Sequence, residues 1–125
     1  MNVFAAMLEE KTDGTLSLPV GVSPEFRGAR PDAWGRDPSF HLACAHRLAE
    51  DLTAAAEMLG EKPAPVWAKI LKKLPKVSMF VDGDQPIIGL WDGMKLYESH
   101  RHHSHLAAIA PFDMIDCEGR RARVG

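Results

Sequence analysis

Asp37-Pro38-Ser39-Phe40-His41-Leu42-Ala43-Cys44-Ala45-His46-Arg47-Leu48-Ala49-Glu50-Asp51-Leu52-Thr53-Ala54-Ala55-Ala56-Glu57-Met58-Leu59-Gly60 is the longest periodic stretch of the chain. Ala45, Leu48, Ala49, Leu52, Ala55, Ala56 and Leu59 recur at three- and four-residue spacing, which puts them on one face of an α-helix. Asp37 has the side chain of an N-cap, and Pro38 suits the first helical position, where no N–H is needed. Gly60 suits the C-terminal cap because it adopts left-handed backbone without a steric penalty. The stretch predicts a helix of about six turns. Its packing face is rich in alanine, which lets a neighbouring helix approach closely.

Downstream, Val66, Trp67, Ile70, Leu71 and Leu74 make a second helical stripe over residues 65–74, ended by Pro75. Lys69, Lys72, Lys73 and Lys76 read as a solvated face beside it. Residues 77–81 and 87–91 read as strands joined by Asp82-Gly83-Asp84, a β-hairpin, and Asp92-Gly93 is a further turn. A short helix is expected from Ser104 to just before Pro111. Upstream, residues 2–11 predict a short helix with Val3, Phe4, Met7 and Leu8 on one face. Asp13-Gly14 is a turn signal, and residues 15–22 are β-like, with Pro19 limiting them to an edge or an extended segment. Residues 23–36 read as a loop rich in Gly, Pro and Arg. The fold expected is mainly α with a small β-hairpin insertion. One long helix and one shorter partner do not enclose a core, so the apolar faces predict a neighbour outside the chain.

The 125 residues suffice for one domain with a core. A hydrophobic content of 46% excludes the composition of a disordered chain, and a net charge of −2 excludes the basic excess of a nucleic-acid binder. Arg120, Arg121 and Arg123 are too few to change that and read as a solvated terminus. No apolar run reaches the ~20 residues of a membrane span. Residues 1–7 lack a cationic start and are followed by Glu9 and Glu10, so no signal peptide is expected in this chain. The compartment stays open, with a secreted or periplasmic parent compatible. Cys44 and Cys117 could pair, while a buried free thiol suits Cys44 among alanines and leucines.

Four of the six histidines lie in Glu98-Ser99-His100-Arg101-His102-His103-Ser104-His105-Leu106. Three readings compete: a metal site, a structural or tag-like run, and the polar wall of an active site. His102 with His105, or His100 with His103, could share a face, but no HExxH accompanies them and no cysteine is near. No metal and no cofactor is expected.

His100-Arg101-His102-His103-Ser104-His105-Leu106, followed by Pro111-Phe112-Asp113, resembles the HRHxSHL…PxD segment of glycoside hydrolase family 95. That family holds α-L-fucosidases and related α-L-galactosidases with an (α/α)6 barrel catalytic domain. Leu18-Pro19-Val20-Gly21-Val22-Ser23-Pro24-Glu25 resembles the family's SPE segment, and the order of the two motifs agrees. The resemblance covers roughly residues 1–116. It implies that this part is a partial catalytic domain, a fragment of an (α/α)6 barrel, with 117–125 a polar tail. It also implies a carbohydrate substrate, no nucleic acid, no membrane, and the rest of the barrel as an expected partner.

By this resemblance Glu25 is the general acid that protonates the leaving glycosidic oxygen, a task needing a raised carboxyl pKa. Asp113 polarises an asparagine that activates water in an inverting reaction. Asn2 is the only asparagine and its surroundings do not match, so the base is expected outside this chain. His100, Arg101, His102 and His105 are then candidates to line the sugar subsite. Trp34 and Trp91 could offer it an apolar face or sit in the core. Without the resemblance, Glu25 reads as a loop carboxylate paired with Arg27 or Arg30, and Asp113 as a cap on the short helix after Pro111. The isolated chain is expected to be incomplete and inactive. The competing function is a small helical module that binds a metal or a partner through residues 100–105.

Overall fold

The computed structural model describes residues 1–116. The polar tail expected at 117–125, its arginines and any pairing of Cys44 with Cys117 lie outside the described residues.

The long helix forms as its periodicity dictates: α2 spans Ser39–Met58, and the chain leaves it through Gly60 at φ +69. Before it, α1 is Asn2–Met7, shorter than the expected 2–11. It stops there because Glu9–Glu10 (β1) turns out to pair with Leu16–Ser17 (β2). Gly21–Val22 (β3) pairs with Trp34–Gly35 (β4), in the register Val22 to Trp34. After α2 comes α3, Pro65–Lys73, with Pro65 at its first turn and Pro75 beyond its end. The hairpin is Met79–Asp82 (β5) against Gln85–Ile88 (β6). Its two-residue loop begins with Gly83 at φ +62, the geometry that matches strand twist at a tight hairpin. The expected helix from Ser104 is reduced to one 3-10 turn, Ser104–Leu106, followed by a run of turns.

Among the described residues there are thus three helices and three two-stranded antiparallel sheets, about 38% helix and 16% strand. This corrects the expectation of a mainly α fragment of an (α/α)6 barrel. The reason lies in what covers α2. Leu42, Ala45 and Ala49 are buried by Leu16, Ile70 and Leu74, with Phe4, Leu8 and Trp67 packed around them. Ala43 is buried by Ala107, Ala108 and Met114 from the last irregular segment. The alanines admit strands and turns of this same chain at close range, where the sequence suggested a neighbouring helix. Each fully buried Leu42- or Ile70-sized side chain contributes about 1.5–3 kcal/mol relative to exposure. The end of α2 stays bare, with Ala54, Ala55, Met58 and the following Leu59 exposed.

The start of α2 is a junction. Asp37 was expected to cap the helix, but Pro38 precedes the first helical residue and no side chain caps it. Asp37 instead sits at φ +52 and reaches back. Its Oδ1 accepts the Leu18 amide at 2.6 Å, and its Oδ2 accepts the Ser17 hydroxyl at 2.9 Å and Lys11 Nζ at 3.3 Å. Its own amide donates to the Leu18 carbonyl at 2.8 Å. Ser39 ties the same point to the hairpin: its Oγ donates to the Gly89 carbonyl at 2.7 Å and accepts the Ser78 amide at 2.9 Å. A third cluster, Phe26, Ala33, Leu90 and Trp91, is assembled from loops around this junction.

Candidate functional site

The third cluster carries the site. Phe26 is fully buried and meets Trp91 edge-on, with ring centroids 5.6 Å apart. That anchor fixes the residue directly after Glu25. Gly35 on β4 passes so close to the Trp91 ring that a Cβ there would collide with it. The β3–β4 pair is thereby seated on Trp91, and Ser23-Pro24-Glu25 continues from β3.

Glu25 adopts φ +56, ψ +4, and Arg27 adopts φ +47. Left-handed backbone at a residue with a side chain costs about 1–2 kcal/mol and persists only where surroundings hold it. Several contacts hold it here. Ser23 Oγ and Ser104 Oγ lie 2.8 Å apart, joining segments 81 residues distant in sequence. His100 Nε2 lies 3.3 Å from the Glu25 carbonyl, and its Nδ1 accepts the His102 amide at 3.1 Å. With the proton on Nε2, His100 therefore bridges the backbones of Glu25 and His102.

The Glu25 carboxylate is gripped at one oxygen. Oε2 accepts Arg101 Nε at 3.0 Å and His102 Nε2 at 2.9 Å, and Arg101 Nη2 also bonds it. These donors, Arg101 first and His102 second, hold the Glu25 carboxyl below the ordinary carboxylate range. That is the opposite of the raised value expected of a resting general acid. The alternative expectation, pairing with Arg27 or Arg30, is also not what forms. Arg27 bonds Asp32 at 3.2 Å and Glu98 at 3.3 Å, lies over the rings of Phe26 and Tyr97, and also bonds the Tyr97 hydroxyl. Arg30 bonds Asp32 at 3.1 Å.

The remaining sequence-derived residues divide. His105 is buried, its Nδ1 has no hydrogen-bond partner among the described residues, and burial pushes its pKa down. His103 is exposed, with its ring 6.2 Å from that of His105. Trp34 is about half exposed on β4, opposite Val22. Trp91 is a core residue with no face for a ligand, which corrects its place among the sugar-facing candidates. Asp113 is exposed at φ +51 after the last turns, and no hydrogen bond or ion pair joins it to the Glu25 cluster among the described residues. Nor does it cap a helix: Phe112 and Met114 beside it bond back to Ala107 and Ala108 through the backbone.

Sequence reasoning missed the Arg27, Tyr97, Glu98 and Asp32 network, because its members lie as far as 71 residues apart. It also missed the Ser23–Ser104 bond, although both serines stand inside the quoted motifs. Among the described residues no three His, Cys, Asp or Glu side chains are grouped to hold a metal ion, and no helix is long and apolar enough to cross a membrane. No family model, no curated protein and no solved structure matches the chain.

Proposed function

We propose that the wall formed by Glu25, His100, Arg101 and His102 is a carbohydrate-handling site of glycoside hydrolase type, akin to the α-L-fucosidases and α-L-galactosidases of family 95. One observation carries this reading. The two segments that resemble the family's motifs meet, through Ser23 with Ser104 and through Glu25 with Arg101 and His102. The exposed Trp34 on the adjoining strand adds an aromatic face of the kind sugars stack on. Arginine and imidazole donors beside a carboxylate offer both hydrogen-bond senses to sugar hydroxyls.

In this reading Glu25 donates the proton to the leaving oxygen and Asp113 polarises a base supplied from outside the described residues, with inversion at the anomeric carbon. Glu25 does so only after Arg101 and His102 release Oε2, because an ionised carboxylate has no proton to give. That ionised state favours a second reading, sugar binding without turnover. Nuclear magnetic resonance titration with methyl α-L-fucoside and methyl α-L-galactoside tests the common part. The amides of Glu25, Arg101 and His102 are expected to shift saturably, and unmoved amides at millimolar sugar would sink both readings. An aryl α-L-fucoside separates them. Release of the aryl group that disappears in Glu25→Gln marks hydrolysis, and saturable binding without release marks the binding reading.

A further inference from the structure

We infer that Arg101 and His102 form a carboxylate cradle in which Glu25 stands in for the acidic group of the ligand, so that the glycan this site takes carries a hexuronate residue. The inference rests on the carbohydrate reading above and names the substrate class of the same site.

The geometry is that of a carboxylate receptor. Arg101 sends Nε and Nη2 to the same oxygen, and His102 Nε2 adds a further donor. A planar guanidinium fork suits a carboxylate better than a lone hydroxyl, which would engage one of these donors and leave the charge unanswered. The arginines of the 23–36 loop are already answered, Arg27 by Asp32 and Glu98, Arg30 by Asp32 and Arg36 by Glu9. Glu25 is the carboxylate that answers Arg101 among the described residues.

The occupant is also easy to exchange. The side chains of Arg101 and Glu25 are 76% and 54% exposed, and an ion pair so open to water adds little stability. No hydrogen bond engages Glu25 Oε1 among the described residues, so one oxygen alone holds the carboxylate in place. The backbone beneath stays put, because Phe26 is anchored in the core and Ser23 is tied to Ser104. A ligand carboxylate can thus displace that of Glu25 without unfolding the loop. The released carboxylate, beside a second carboxylate and without the donors that hold its pKa down, binds a proton more readily than it does in the ion pair. The exchange removes what holds Glu25 ionised and moves it toward the protonated form a general acid needs as the acidic sugar is seated.

The test compares three probes by nuclear magnetic resonance titration of the whole chain: methyl α-D-galacturonide, methyl α-D-galactoside and sodium acetate. The uronide is expected to bind about ten-fold or more tighter than the neutral sugar, the scale of one charge-assisted bidentate contact. Arg101→Gln is expected to remove that advantage. Glu25→Gln is expected to act in the opposite direction, tightening uronide binding several-fold by removing the internal competitor. That gain is one that a merely structural role for Glu25 would not give. Both positions are exposed, and an unchanged thermal melt shows that the variants fold. Equal binding of charged and neutral sugars overturns the carboxylate cradle and leaves the carbohydrate reading standing. Acetate binding as tightly as the uronide overturns the sugar class, and weaker uronide binding in Glu25→Gln overturns the stand-in. If no sugar binds, the carbohydrate reading fails with it.

Discussion

Asp37 shows how far one side chain can stray from its local signal. Before a proline and a periodic run, an aspartate reads as a helix cap, and nothing within ten residues says otherwise. Here it is almost fully buried and serves the Leu18 amide, the Ser17 hydroxyl and Lys11. Asp37→Ala is expected to destabilise the fold by about 2–4 kcal/mol, because it strands a buried amide and a buried hydroxyl. Asp37→Asn, which keeps an acceptor and tolerates left-handed backbone, should lose markedly less. Urea unfolding of the two variants checks this, and equal losses would refute it. Glu25 was expected either as a general acid or as a loop carboxylate paired with Arg27 or Arg30, and its partner proved to be Arg101, 76 residues away. Short-range charge pairing was a poor guide because the loop turns Arg27 toward Glu98 and Tyr97.

At the level of elements, length decided what could be read. The 20 residues of α2 repeat the helical period often enough to be unmistakable, and α3 and the hairpin lie close to their expected places. The pairs β1–β2 and β3–β4 have two residues per strand, too few for any alternation to register. Yet β3–β4 is the element that leads into Glu25, and glycine was the one sign of it. Gly35 has no room for a Cβ against Trp91, and Gly21 has none against His41 and Pro38. Gly35→Ala is expected to cost about 1–3 kcal/mol, as overpacking does where the obstacle is a buried ring. It should also push β4 off Trp91 and so disturb the Glu25 amide resonance. An alanine variant with unchanged stability and an unmoved Glu25 signal would show that Trp91 yields and that the strand pair is not seated on it.

For the whole molecule, the sequence showed apolar faces but not what lies against them. The same alanines that permit a neighbouring helix also permit the chain's own turns, and residues 104–115 supply those turns. Burial of histidine makes stability depend on pH. His46 is buried on α2 with its Nε2 2.8 Å from the Leu74 carbonyl, and burial lowers its pKa. Burial likewise lowers His41 and His105. In each case the unfolded chain holds the proton more tightly than the folded one. As pH falls below the ordinary histidine value of 6.5, the unfolded state takes up protons first, and stability declines until the lowered folded values are passed. The carboxylates act in a separate window. Glu10, held to about 2 by Lys69 and Lys73, loses its contribution only as pH falls from 4.5 downward. Urea unfolding at pH 7.5 and at pH 5 is therefore expected to show lower stability at pH 5. His46→Gln, which keeps a donor for Leu74 but does not titrate, should flatten part of that decline. A stability unchanged between the two pH values would mean that these imidazoles are not held neutral by the core, and a decline of equal size in His46→Gln would mean that His46 is not.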